Sequence, residues 1–170
     1  MSRCVKRFQR IFRPGVQLTL LVAFISALSA CSSPSEKLLE QFTEYRVEHG
    51  LNLYRQTVPQ DGESSLVAVY ENVDDLFGIM EFDGKENNYQ EVEKKQKVTT
   101  AVLTGDGKTT LAILHPDQKM GNVKVNADGQ SEEFALDSQE PITVHTLKDS
   151  YDDVKIEVFD AQGNLIEQDE

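Results

Sequence analysis

Leu66-Val67-Ala68-Val69-Tyr70, then Asp74-Asp75, then Leu76-Phe77-Gly78-Ile79-Met80-Glu81-Phe82 is the stretch that decides the fold. Both apolar runs are rich in β-branched and aromatic residues, and the two aspartates between them mark a turn, so the stretch predicts a β-hairpin. The first run is apolar without interruption, which is the pattern of a strand covered on both faces. Asp83-Gly84 supplies the next turn, and Tyr89-Gln90-Glu91-Val92 resumes as a strand that Lys94-Lys95 keeps exposed on one face.

The same grammar continues downstream. Thr99–Thr104 and Thr109–Leu114 flank Gly105-Asp106-Gly107-Lys108 as a hairpin, and Val123–Asn126 alternates up to Asp128-Gly129. Phe134–Leu136, Ile142–Thr146 and the alternating Val154–Phe159 are further strands, and Asp160-Ala161-Gln162-Gly163 turns the last of them into Asn164-Leu165-Ile166. Upstream, Leu51 and Leu53 begin an extended stretch that Pro59 and Asp61-Gly62 close. Before it, Leu38, Leu39, Phe42 and Tyr45 recur at helical spacing, with Ser35 as the N-cap, Glu36 in the first turn and Gly50 as the stop. This predicts one amphipathic helix over 36–49 whose apolar stripe packs on the chain's own sheet. The fold class is α+β: a signal-peptide helix, one amphipathic helix, then eight to ten short strands in a mainly antiparallel meander or sandwich.

The first thirty residues are of another kind. Arg3, Lys6, Arg7, Arg10 and Arg13 stand there without an acid, and Leu18–Leu28 is an apolar run of eleven. A basic region, a short apolar region and small residues at Ser29 and Ala30 are the three parts of a secretory signal. The run is below the about 17–25 residues that a membrane-spanning helix needs. The domain reading is therefore 1–30 signal peptide, 31–35 tether and 36–170 a single globular domain. Taking five of the 17 basic residues away leaves 12 against 29 acids, a formal charge of −17 for the remainder. So acidic a surface repels phosphate backbones and anionic lipid heads, which argues against nucleic-acid binding. Cys4 falls in the leader, so Cys31 is the one cysteine left after it, and no disulfide is expected.

Leu28-Ser29-Ala30-Cys31 resembles the lipobox of bacterial lipoproteins. The resemblance implies cleavage before Cys31, a diacylglyceryl group on its sulfur and an acyl chain such as palmitate on its amine. Two or more chains make a stable anchor. Lipidation of Cys31 is thus the expected site, and the cell membrane, on its extracytoplasmic face, is the expected location. In a Gram-negative cell Ser32 would resemble an outer-membrane sorting residue; in a Gram-positive cell the anchor sits in the only membrane. The downstream pattern, with LVAVYEN, LFGIMEF and FDAQGNLI, resembles small uncharacterised secreted or lipid-anchored proteins of Gram-positive bacteria over about residues 50–168, a likeness that implies no activity.

Tests for chemistry return little. Gly105–Thr110 has the look of a phosphate-binding loop, but Val102 stands where its first glycine belongs and TLAIL reads as a strand, so no cofactor is expected. Asn126-Ala127-Asp128-Gly129 fits the middle of a calcium loop, yet Lys124 and Ala135 occupy its first and last ligand positions. A looser calcium site from Asp149, Asp152 and Asp153 stays open. His49, His115 and His145 lie in different elements without a cysteine partner, and His145 alternates with Val144 and Ile142 as a residue of a strand's solvent face. No Gly-x-Ser-x-Gly elbow is present and no carboxylate pair stands out. These readings point to a non-enzymatic binding module whose partner is the membrane through Cys31 and an envelope protein or polymer. The alternatives are an accessory structural lipoprotein without a small ligand and a hydrolase with a scattered site.

Overall fold

Helix α1 (Pro34–Glu48) opens with proline at its first position, where the missing N–H costs nothing, two residues earlier than the Ser35 cap predicts. It ends in a Schellman motif. Leu51 N–H donates to Arg46 O at 2.9 Å and Gly50 N–H to Val47 O at 3.3 Å, with Gly50 at φ +64°. The computed structural model describes residues 33–59, 64–85, 87–105, 107–115, 120–137 and 139–169. The signal-peptide helix and Cys31 lie outside them, and so do Asp106 and Asp61-Gly62.

After α1 come eleven strands among the described residues, more than the eight to ten expected. They are β1 (Asn52–Gln56), β2 (Leu66–Glu71), β3 (Phe77–Phe82), β4 (Asn87–Val92), β5 (Thr99–Gly105) and β6 (Lys108–Leu114), followed by β7 (Met120–Ala127), β8 (Gln130–Ala135), β9 (Ile142–Thr146), β10 (Val154–Asp160) and β11 (Leu165–Asp169). They pair antiparallel in three sheets, β1-β2-β3-β4, β5-β6-β9 and β11-β10-β7-β8. The described residues from Pro34 onward form one compact unit.

Side-chain parity stacks these elements into four layers. Leu38 and Phe42 of α1 meet Leu66, Ala68, Tyr70, Met80 and Phe82 on one face of the first sheet. The opposite face presents Val69, Phe77 and Ile79 to Ala101, Leu103, Ala112 and Ile142 of the second sheet. The second sheet's other face, with Leu111 and Ile113, closes on Val123, Val125, Ile156 and Val158 of the third. Two sheets are thus covered on both sides, which is why LVAVY and TLAIL are unbroken apolar runs. The third keeps one face in water, and its strands alternate.

Within the first sheet Tyr70 lies across its pair partner Gly78, where a Cβ would fall 2.6 Å from the ring. The ring reaches over to β4 and donates its hydroxyl to Glu91 at 2.9 Å. Burial, with Glu91 beside it, pushes this phenol upward and keeps it neutral.

The edge strand β5 is not left bare. On the face of β4 that meets the second sheet, Gln90 accepts the Val102 N–H and Asn88 donates to Thr104 O at 2.8 Å. Two side-chain amides thereby do what a neighbouring strand's backbone would do, and they blunt an edge that would otherwise template pairing. Replacing Gln90 with alanine is expected to lower stability by about 1 kcal/mol and to raise concentration-dependent self-association. Urea denaturation and light scattering read the two effects. An unchanged midpoint with unchanged scattering would mean that water serves Val102 equally well.

Candidate functional site

Asp128 (φ +48°) and Gly129 (φ +79°) are both left-handed, the requirement of a two-residue type I′ hairpin, and they join β7 to β8. The Asn126–Gly129 stretch is therefore turn chemistry. The register places Gln130, Glu132 and Phe134 of β8 opposite Ala127, Val125 and Val123, so these three face the second sheet. The polar Gln130–Glu133 segment falls outside the expected strand at 134–136 because β8 is an exposed edge whose buried half is thin.

Across from β8 stands His145, and here the expectation is corrected. His145 is not on a solvent face. Its pairing with Leu111 turns it toward the third sheet, where its ring stacks on Phe134 at 3.8 Å and 13°. Its Nε2 lies 2.7 Å from Glu132 Oε1. The pair clasps β9 of the second sheet to β8 of the third. The connection after β9 is tied down by one threonine. Thr109 O accepts Leu147 N–H at 2.8 Å, Thr109 N–H donates to Asp149 O at 3.1 Å, and Thr109 Oγ1 accepts Tyr151 N–H at 2.9 Å.

Between this connection and β8 opens a cleft of about 350 Å³. Val125, Ala127 and Leu147 floor it, and Gln130, Glu132, Lys148, Asp149 and Tyr151 form its polar rim. The Tyr151 hydroxyl sits 3.4 Å from Gln130 Oε1 and 3.5 Å from Asp149 Oδ2, so it can give its single proton to either. Burial first, then Asp149, Asp128 and Glu132, push the phenol above its ordinary pKa. An apolar floor under amide, carboxylate, ammonium and phenol groups can orient a polar ligand by hydrogen bonds.

The residues singled out in the sequence are dispersed. His49 stacks on Tyr45 at 4.0 Å at the end of α1. His115 is buried beyond β6, and Gly105–Thr110 is the hairpin between β5 and β6. Asp149 reaches the cleft, whereas among the described residues no group of three or more His, Cys, Asp or Glu is placed to hold a metal. Asp160 organises its turn. Its carboxylate accepts Gln162 N–H, Asn164 N–H and Asn164 Nδ2 at 2.8–2.9 Å, and the Asn164 bonds above all hold its pKa below the ordinary carboxylate value. Gln130, Glu132 and Tyr151 escape a reading of the sequence, since only the β7–β8 register and the Thr109 bonds bring them together.

No protein family, curated protein or solved structure matches this chain. Among the described residues no helix is long and apolar enough to cross a membrane.

Proposed function

We propose that the chain is a lipid-anchored extracytoplasmic protein, held to the cell membrane through Cys31, that works as a binding module for an envelope protein or polymer. The observation that carries the reading is Leu28-Ser29-Ala30-Cys31, set at the end of a basic leader and the mainly apolar run Leu18–Leu28 and followed by α1 at Pro34. Only Ser32 and Ser33 separate the anchor from the first helix, so the domain works close to the bilayer. Its formal charge of −17, from 12 basic and 29 acidic residues, favours standing off an anionic surface over lying on it. The lipid supplies what the surface does not. The cleft between β8 and the connection after β9 offers the partner hydrogen-bonding groups over an apolar floor.

Intact-mass analysis of membrane-fraction protein tests the anchor. The mature chain is expected to begin at Cys31 with the mass of a diacylglyceryl group and any further acyl chain, and Cys31→Ala is expected to abolish both the added mass and the cleavage. A wild-type chain that begins at another, unmodified residue would sink the proposal. Crosslinking in intact cells, repeated with Tyr151→Ala and Gln130→Ala, reads the binding role. Partners captured equally by wild type and variants would move that role away from the cleft.

A further inference from the structure

We propose that the open edge of β9 takes an extended segment of a partner protein as an added strand, and that the cleft beside it selects a basic side chain on that segment. This rests on the reading of the chain as a binding module, and it narrows the partner to a protein with a cationic, strand-forming stretch. The register fixes which way β9 points its backbone. His115 N–H donates to Pro141 O at 2.7 Å and Leu147 N–H to Thr109 O at 2.8 Å, so the odd-numbered residues of β9 bond to β6. Thr110 and Thr146 form the alternate, non-bonded kind of pair, with their hydroxyls 3.2 Å apart. The N–H and C=O of Val144 and Thr146 therefore point away from β6. β9 is the last strand of its sheet, with Val144 half-buried and Thr146 exposed.

Among the described residues, the other strand edges each carry a device that discourages pairing. β1 is bulged between Leu53 and Arg55, and β11 lies against a bulge between Val158 and Phe159. β8 carries Glu132 and Glu133, while β4 carries Glu91 and spends Asn88 and Gln90 on closing β5. β9 has none of these. Its pairing with β6 runs without a bulge, and Ile142–Thr146 holds no aspartate, glutamate, lysine or arginine. A plain edge among guarded ones is the place for an added strand, whose backbone supplies affinity while pockets for alternate side chains supply specificity.

A residue of the added strand points the same way as the β9 residue it stands opposite. Opposite His145 and Leu147 that direction is toward the third sheet, because His145 stacks on Phe134 and Leu147 floors the cleft of about 350 Å³. On the cleft's rim Glu132 and Asp149 outnumber Lys148, and Asp128 adds its charge beside Tyr151. A formal charge of −17 beyond the leader, from 12 basic and 29 acidic residues, draws cationic segments and repels anionic ones. Lysine or arginine suits this cleft, since its alkyl stem can cover Leu147 while its charge reaches the carboxylates. Opposite Val144 the added side chain turns toward the first sheet, where Val144 packs among apolar residues. The favoured segment therefore alternates apolar and basic residues.

Titrating the full chain with a capped hexapeptide of alternating valine and lysine, and with one of valine and glutamate, tests the edge by calorimetry and amide hydrogen exchange. In the free chain the Val144 and Thr146 amides should exchange fast beside protected Thr143 and His145. The lysine peptide at ten times its dissociation constant should slow them about tenfold, and the glutamate peptide should not. Thr146→Pro removes an outward N–H and spares the ladder to β6, so the lysine peptide should bind about tenfold more weakly. Thr146→Ala should bind it as the wild type does, and Asp149→Asn about threefold more weakly. The edge site is overturned by slow exchange of Val144 and Thr146 in the free chain, by equal binding of the two peptides, or by Thr146→Pro and Thr146→Ala binding alike. Protection that rises with protein concentration alone would also overturn it, by making the occupant a second copy of the chain. Should Thr146→Pro fail to fold, the wild-type exchange profile and the two peptides decide the matter. Failure of the peptide while crosslinking in cells still captures partners strikes the edge alone; peptide binding without any captured partner strikes the binding-module reading and leaves the edge.

Discussion

Phe42→Ala is expected to cost about 3–5 kcal/mol, a large share of the roughly 5–15 kcal/mol that holds a domain of this size together. The reason lies in how little holds α1. Of its fifteen residues only Leu38 and Phe42 are buried, and Phe42 is the deeper of the two. Its ring meets Phe82 edge-on at 5.4 Å in the layer shared with Leu66, Tyr70 and Met80. Alanine there leaves a cavity that a two-sided sheet cannot collapse to fill. The loss should appear as a lower urea midpoint, with the helical circular dichroism lost ahead of the strand signal. Val47→Ser on the same helix, at a position 71% exposed, is expected to stay within about 0.5 kcal/mol. Equal effects from the two substitutions would refute the packing of α1 on the first sheet.

Gly121→Ala should follow closely, at about 3 kcal/mol. A bulge between Val158 and Asp160 brings the Asp160 backbone against β7, and a Cβ on residue 121 would lie 2.5 Å from Asp160 O and 2.8 Å from its carbonyl carbon. Backbone on both sides leaves no side chain to move, so β7 and β10 must separate at that end. Gly107→Ala is the informative comparison. Its φ of +73° strains any L-residue, but its surroundings are open, and about 1 kcal/mol is expected. A Gly121 variant no worse than the Gly107 variant, by thermal or urea unfolding, would show that the two strands do not approach so closely.

What could be read in advance was local. Unbroken LVAVY forecast a strand buried on both faces, TLAIL forecast a strand, and Gly50 forecast the end of the helix. Partition into three sheets could not be read. It depends on β9 leaving β8, its neighbour in sequence, to pair with β6, and on β10 reaching back to β7, and no turn signal encodes either choice. His145 was misplaced for a related reason. Alternation with Ile142 and Val144 says only that it faces away from them, and in a layer covered on both sides that direction is also inward. The cleft stayed hidden because Gln130, Glu132 and Tyr151 are ordinary surface types that become a group only through the hairpin register and the three Thr109 bonds.

The amide side chains of Asn88 and Gln90 that close β5 also impose an order of events. They can do so only after β4 has paired with β3, whereas β5 and β6 can zip as a local hairpin at any time. Until the first sheet docks, Thr99–Thr104 is a flat, uncharged, β-prone strand with an open side. The vulnerable species is therefore a half-assembled chain, and its yield on refolding is governed by how the docking rate compares with collision between chains.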